Sequence, residues 1–158
     1  MDPVCKKLFL KAQSPIVVWQ PPAEFAEHLA AMRAMTIVEK APQKDKFYAF
    51  MLLFVRDCTE LQKTITLCMP HLSEDAILWF AHPKKSSKKY TSDLNRDEGW
   101  TDLGTYGYEG VTGISIDEDW SGLRFRDVKY IKKMTRDAKR ALSSAGKQRL
   151  SKKQPTDT

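Results

Sequence analysis

The sequence predicts a three-layer α/β sandwich with a mainly parallel sheet, a C-terminal antiparallel hairpin and, after these, a basic helical tail. Three observations predict it. The stretch "KFYAFMLLFVR", residues 46–56, is apolar without alternating, as a strand covered on both faces should be. Directly after it, "RDCTELQKTITLCMPHL" carries a helical stripe and leads into another apolar run, "AILWFAHP", which together read as a βαβ unit. Near the end, "VTGISIDEDWSGLRFRDV" reads as two strands about a short turn.

Each element has a local reason. "SPIVVWQPP" is a four-residue apolar run closed by prolines, a short buried strand. In "PAEFAEHLAAMRAM", Phe25, Leu29 and Met32 recur at spacings of four and three, one helix face, and "TIVEK" is a second short strand. Periodicity alone leaves 46–56 open to helix, and the segment that follows argues for strand. There, Asp57 stands three residues before Glu60, a capping-box start, and Leu61, Ile65, Cys68 and Leu72 fall on one stripe. A strand over 76–82 comes next, then a polar loop and a weaker helix around Asp93 to Tyr106. In the last strand Leu123 and Phe125 alternate with Arg124 and Arg126, a hairpin with one wet face at a sheet edge. The α/β domain is expected over 1–128 and the tail over 129–158, disordered from about residue 152.

The 158 residues suit one domain, and 42% hydrophobic with 29% charged content is ordinary for a globular chain. The net charge of +6 is unevenly placed. Residues 1–126 hold 16 basic and 17 acidic side chains, whereas 127–158 hold 10 and 3. The positive excess therefore belongs to the tail, where it offers attraction to nucleic acid or an acidic partner. With Tyr130 as its only aromatic, that tail has little to stack on single-stranded bases. Cys5, Cys58 and Cys68 are odd in number and widely spaced, which argues against a disulfide framework or a structural zinc site. Neither a membrane span nor a signal peptide is expected, and a reducing cytoplasm is the default compartment. No P-loop, no G-x-S-x-G elbow and no H-E-x-x-H motif occurs.

The run from Phe47 to Lys85, "FYAFMLLFVRDCTELQKTITLCMPHLSEDAILWFAHPKK", resembles the second half of a class I methyltransferase domain. "LWFAHPKKSSKKYTSDLNRDEGW" with "DEDWSGLRFR" resembles an uncharacterised bacterial family of small α/β proteins, a domain of unknown function. The first likeness implies a Rossmann-like, degenerate methyltransferase-like sheet. It also implies where S-adenosylmethionine would bind, and there the chain departs from the pattern. A glycine-rich turn is needed after the first strand, and this chain has "WQPPAEF" instead. Glu39 sits where the family's ribose-binding carboxylate would be. The resemblance supports the architecture, and no cofactor is expected to bind in the usual mode.

The candidate site is the polar continuation of the strand over 76–82. Ligands of open α/β sheets gather beyond the carboxyl ends of parallel strands, and Lys84, Lys85, Ser86 and Ser87 should emerge there. With Lys88, Lys89, Thr91 and Ser92 they supply charge and hydroxyls for an anion, and Ser92 or Asp93 would cap the next helix. Arg96 and Asp97 would form its more rigid part, with Trp100 as an apolar wall, and Trp120, Ser121 and Arg124 would face the same cleft from the hairpin. His82 with Asp97 is a conceivable base pair, and "DEDW" reads as turn chemistry rather than a metal site. The functional expectation is a non-catalytic protein that binds an anionic small molecule or partner at this loop. The alternatives are a tail that binds nucleic acid or an acidic partner, and a diverged methyltransferase-like enzyme.

Overall fold

The structure, a computed structural model, describes residues 2–94 and 99–131. Its elements in chain order are α1 (Pro3–Lys7), β1 (Ile16–Trp19), α2 (Ala26–Met35), β2 (Val38–Glu39), β3 (Tyr48–Phe54), α3 (Cys58–Cys68), β4 (Leu72–Pro83), α4 (Thr101–Thr105), β5 (Tyr108–Ser115) and β6 (Trp120–Asp127). They build one six-stranded sheet in the order β2-β1-β3-β4-β6-β5. The first four strands in that order run parallel, and β6 pairs antiparallel with both β4 and β5. This is the predicted α/β class. The hairpin sits at one side of the sheet, as expected, with β6 bonded to both β4 and β5 and β5 forming the edge.

Helices cover both faces because both faces are apolar. On one side Met51, Leu53, Leu78, Phe80, Leu123 and Phe125 pack under the α3 stripe of Leu61, Ile65 and Cys68, joined by Trp100 and Leu103. On the other, Ile16, Val18, Phe50, Leu52, Phe54, Trp79 and Trp120 meet Met32 of α2, Phe25 in the 3-10 turn before it, Val4 and Cys5 of α1, and Leu8 just after it. Alternate residues of β3 and β4 thus serve opposite layers, and the uniform apolar run follows from that.

α3 begins as its sequence promised, with Asp57 Oδ1 accepting from the Glu60 backbone N–H at 2.8 Å. It has a second acidic partner, since Asp93 Oδ1 accepts from the Cys58 N–H at 2.9 Å. Asp93 therefore serves the start of α3. The expected helix around Asp93 to Tyr106 is one turn, α4, over its described part.

α1 is absent from the reading of the sequence. Its signal is brief: Asp2 caps the Val4 and Cys5 N–H groups, and Pro3 occupies the first turn. Trp79 Nε1 donates to the Leu8 carbonyl at 2.9 Å, which anchors the segment after α1 to the middle of the sheet. β4 begins at Leu72, earlier than expected, because an irregularity sets Tyr48 opposite Leu72 and Phe50 opposite Ile77. Within that irregularity Asp75 takes φ 47° and receives Arg126 through two bonds of 2.7 Å. Gly122 is where β6 passes under Trp79. A Cβ there would stand 3.2 Å from Ile114 Cγ1 and 3.4 Å from Trp79 Cε3.

Candidate anion-binding rim

β1, β3 and β4 end side by side, with Trp19 opposite Leu53 and Phe54 opposite Ala81. Their carboxyl ends define one rim. The β5–β6 turn lies on it too, because Trp120 pairs with Pro83 and Lys84 N–H donates to the Asp119 carbonyl at 2.8 Å. The loop that begins at Lys84 thus emerges at the ligand-facing rim of the parallel strands. β1 connects to β2 on one side and β3 continues on the other, so the sheet's switch point is at this same rim.

The loop's polar groups have partners within the chain. Lys84 Nζ donates to Ser115 Oγ at 2.6 Å, and Ser87 Oγ donates to Asp119 Oδ1 at 2.8 Å. Ser87 Oγ also accepts from the N–H groups of Lys89 and Tyr90, which folds the loop back on itself. Lys85 and Ser86 are exposed at the loop tip. Ser92 Oγ accepts from the Leu94 N–H.

Across the rim, Glu24 gathers three donors. Lys89 Nζ reaches its Oε1 at 3.1 Å, while Tyr90 Oη at 2.7 Å and Trp120 Nε1 at 3.0 Å share its Oε2. Burial alone would raise the Glu24 carboxyl pKa. The indole, phenol and ammonium donors outweigh that and hold it down to about 2. The same contact raises the Lys89 pKa. The Arg56 guanidinium lies 5.7 Å from the Trp120 ring centre, and Tyr90 tilts against that ring at 5.0 Å.

The two tryptophans do not share a cleft. Trp100 is buried on the α3 face against Phe80, Phe125 and His82, whereas Trp120 is buried on the α2 face against Phe54. Arg124 pairs with Trp79, four residues along β6 from the rim, and its guanidinium lies over Phe9 at 5.3 Å. It belongs to the α1 side of the sheet rather than to the loop. Ser121 faces His82 across the ladder, and both line a shallow cavity of about 270 Å³ with Ser115. Burial lowers the His82 pKa, and its Nδ1 donates to the Pro83 carbonyl at 3.1 Å. Arg96 and Asp97 lie outside the described residues, as does the tail from 132 onward.

A second cavity on this rim was not anticipated. About 390 Å³ opens between the end of β1, α2 and the end of β2, lined by Val18, Trp19, Gln20, Pro21, Leu29, Arg33, Val38 and Lys40. Apolar walls come from Val18, Leu29 and Val38, and the two charged residues are both cations. Among the described residues neither Arg33 nor Lys40 is in an ion pair. The one sequence signal would have been the pair itself, Arg33 in the last turn of α2 and Lys40 just after β2. Glu39 is engaged elsewhere: its carboxylate accepts from Tyr48 Oη at 2.5 Å and from Lys46 Nζ at 3.2 Å.

Among the described residues no group of three or more His, Cys, Asp or Glu side chains is placed to hold a metal ion. No described helix is long and apolar enough to cross a membrane.

These features describe a Rossmann-like α/β protein with a basic crevice at the carboxyl rim. Solved structures that it is similar to include the N-methyltransferase NodS from Bradyrhizobium japonicum WM9, at 14% identity and TM-score 0.44, over 71% of this chain and 72% of that one. A ribosomal protein L11 methylase from Lactobacillus delbrueckii subsp. bulgaricus is similar at 12% identity and TM-score 0.45, over 77% and 73%. The putative methyltransferase YhhF from Escherichia coli is similar at 9% and 0.42, over 78% and 82%. No family model matches the chain, and no curated protein does. The likeness to an uncharacterised family therefore rests on the two sequence blocks that carry it.

Proposed function

We propose that this chain binds an anionic small molecule, one with an apolar portion, in the crevice beyond the ends of β1 and β2. The observation that carries this reading is the crevice's lining: Arg33 and Lys40 beside Val18, Leu29 and Val38, with no acidic side chain among them. Its volume of about 390 Å³ is within the range of small-molecule sites, roughly 300–1,000 Å³. In sheets of this topology a carboxylate after the second strand recognises a ribose hydroxyl, and a cation accommodates a phosphate. Here the nearby carboxylate, Glu39, is tied to Tyr48 and Lys46, and cations face the space. The role is binding. The chain has no glycine turn at β1, and Pro21 and Pro22 withhold the backbone N–H groups a pyrophosphate would use there.

A diverged methyltransferase-like enzyme is the second reading. It is favoured by the position of the crevice, beside the switch point at the carboxyl ends of the parallel strands. Binding of an acidic partner or nucleic acid by the basic tail is a separate activity, supported by the charge of residues 127–158.

A thermal-shift panel of nucleoside phosphates, sugar phosphates, carboxylates and S-adenosylhomocysteine separates these. Stabilisation by a phosphate or carboxylate, lost in Arg33→Ala/Lys40→Ala, is the expected result. A shift with S-adenosylhomocysteine alone would favour the transferase, and no shift with any compound would remove both readings.

A further inference from the structure

The sequence points to an anion site in the loop after β4, and the structure already places an anion there. That anion is Glu24 of the same chain. Lys89 Nζ, Tyr90 Oη and Trp120 Nε1 converge on its two carboxylate oxygens within 2.7–3.1 Å. Each hydrogen bond runs toward Glu24, so the set calls for an acceptor, and the Lys89 ammonium favours a negatively charged one. The Tyr90 and Trp120 rings stand together beside it, 5.0 Å apart, and the Arg56 guanidinium, paired with Glu60, lies 5.7 Å from the Trp120 ring centre. The donors come from the loop and β6, while the carboxylate comes from the 3-10 turn over Ala23–Phe25. A donor cradle on one part of the chain is thus closed by an acceptor from another.

We propose that Lys89, Tyr90 and Trp120 form an oxyanion-binding site for which Glu24 is an internal occupant, and that a phosphate-sized anion takes the same donors when Glu24 is absent or displaced. The carboxylate keeps the site closed. An incoming anion of higher charge competes with it, because Lys89 is exposed and Arg56 half-buried, both open to approach from solvent. Exchange would also release the loop from the 3-10 turn, leaving it held by Ser87 on Asp119 and Lys84 on Ser115. This site is separate from the Arg33–Lys40 crevice and does not depend on it.

Removing the occupant tests the proposal, with inorganic phosphate as the probe. Glu24→Ala leaves the donors in place without an acceptor. Its melting temperature should rise saturably with phosphate over the millimolar range, while wild type responds several-fold less. The gain should vanish in Glu24→Ala/Lys89→Ala and persist in Glu24→Ala/Arg33→Ala/Lys40→Ala. Where Glu24→Ala does not fold, Glu24→Gln decides, read by the shift of the Trp120 indole N–H proton on adding phosphate. A folded variant that ignores phosphate overturns the proposal. So does a phosphate response that survives loss of Lys89, and a response that disappears with Arg33 and Lys40 places the anion in the crevice instead.

Discussion

Glu24 shows how three ordinary donors change the chemistry of one carboxyl group. Its pKa falls from 4.5 to about 2 in the folded chain. Between those values the unfolded state takes up a proton that the folded state refuses, so stability rises with pH across that window. The contribution is fully present above about 4.5 and is lost as pH falls toward 2. Glu24→Gln removes the titration. Urea unfolding of the two proteins should therefore show a gap at neutral pH that narrows steadily below pH 4.5, and a constant gap would contradict the assignment. Trp79 makes a different kind of statement. Its ring is fully buried, and its indole N–H supplies the buried bond to the Leu8 carbonyl. Trp79→Phe leaves that carbonyl without its partner and opens a small void. The expected loss is about 1–3 kcal/mol in denaturant unfolding. Loosening of α1 should accompany it, seen as faster amide exchange over residues 4–8.

Among the elements, α3 was the most legible. A short acidic cap and an apolar stripe at helical spacing pointed one way; Leu61, Ile65 and Cys68 face the core as that spacing implied, whereas Leu72, the fourth position of the stripe, opens β4 instead. Asp57→Ala should cost about 1 kcal/mol in chemical unfolding, the usual worth of such a cap. A loss near zero would mean that Asp93, which bonds the neighbouring N–H, suffices alone. α1 escaped notice because its five residues are too few to display a period. β4 was recognised but started late, since polar Ser73, Glu74 and Asp75 hide a strand whose irregular pairing has no signature in composition. The hairpin's alternation was read correctly, yet alternation does not say which side of a strand is bonded. The insertion of β6 between β4 and β5 is a fact of topology, invisible in spacing.

For the whole molecule, sequence reasoning found the rim and misjudged what is available on it. A strand ending in lysines and serines marks a place where anions can be met. It does not reveal that Glu24, Ser115 and Asp119 come from distant segments to meet those groups first. Trp100 and Trp120 looked like two walls of one cleft because each closes a recognisable block. The sheet separates them, one on each face. The crevice went unseen because its two cations, Arg33 in α2 and Lys40 just after β2, come together only when α2 folds back along β1. The central claim is that an anionic small molecule binds this rim at the Arg33–Lys40 crevice. Mapping backbone amide shifts by NMR during titration with a stabilising phosphate compound tests it most directly. Perturbations centred on Gln20, Arg33 and Lys40, with Asp75 and Arg126 at the opposite rim unchanged, are the predicted result. A binding footprint at Asp75 and Arg126, or saturable binding that leaves Gln20, Arg33 and Lys40 unmoved, would contradict it.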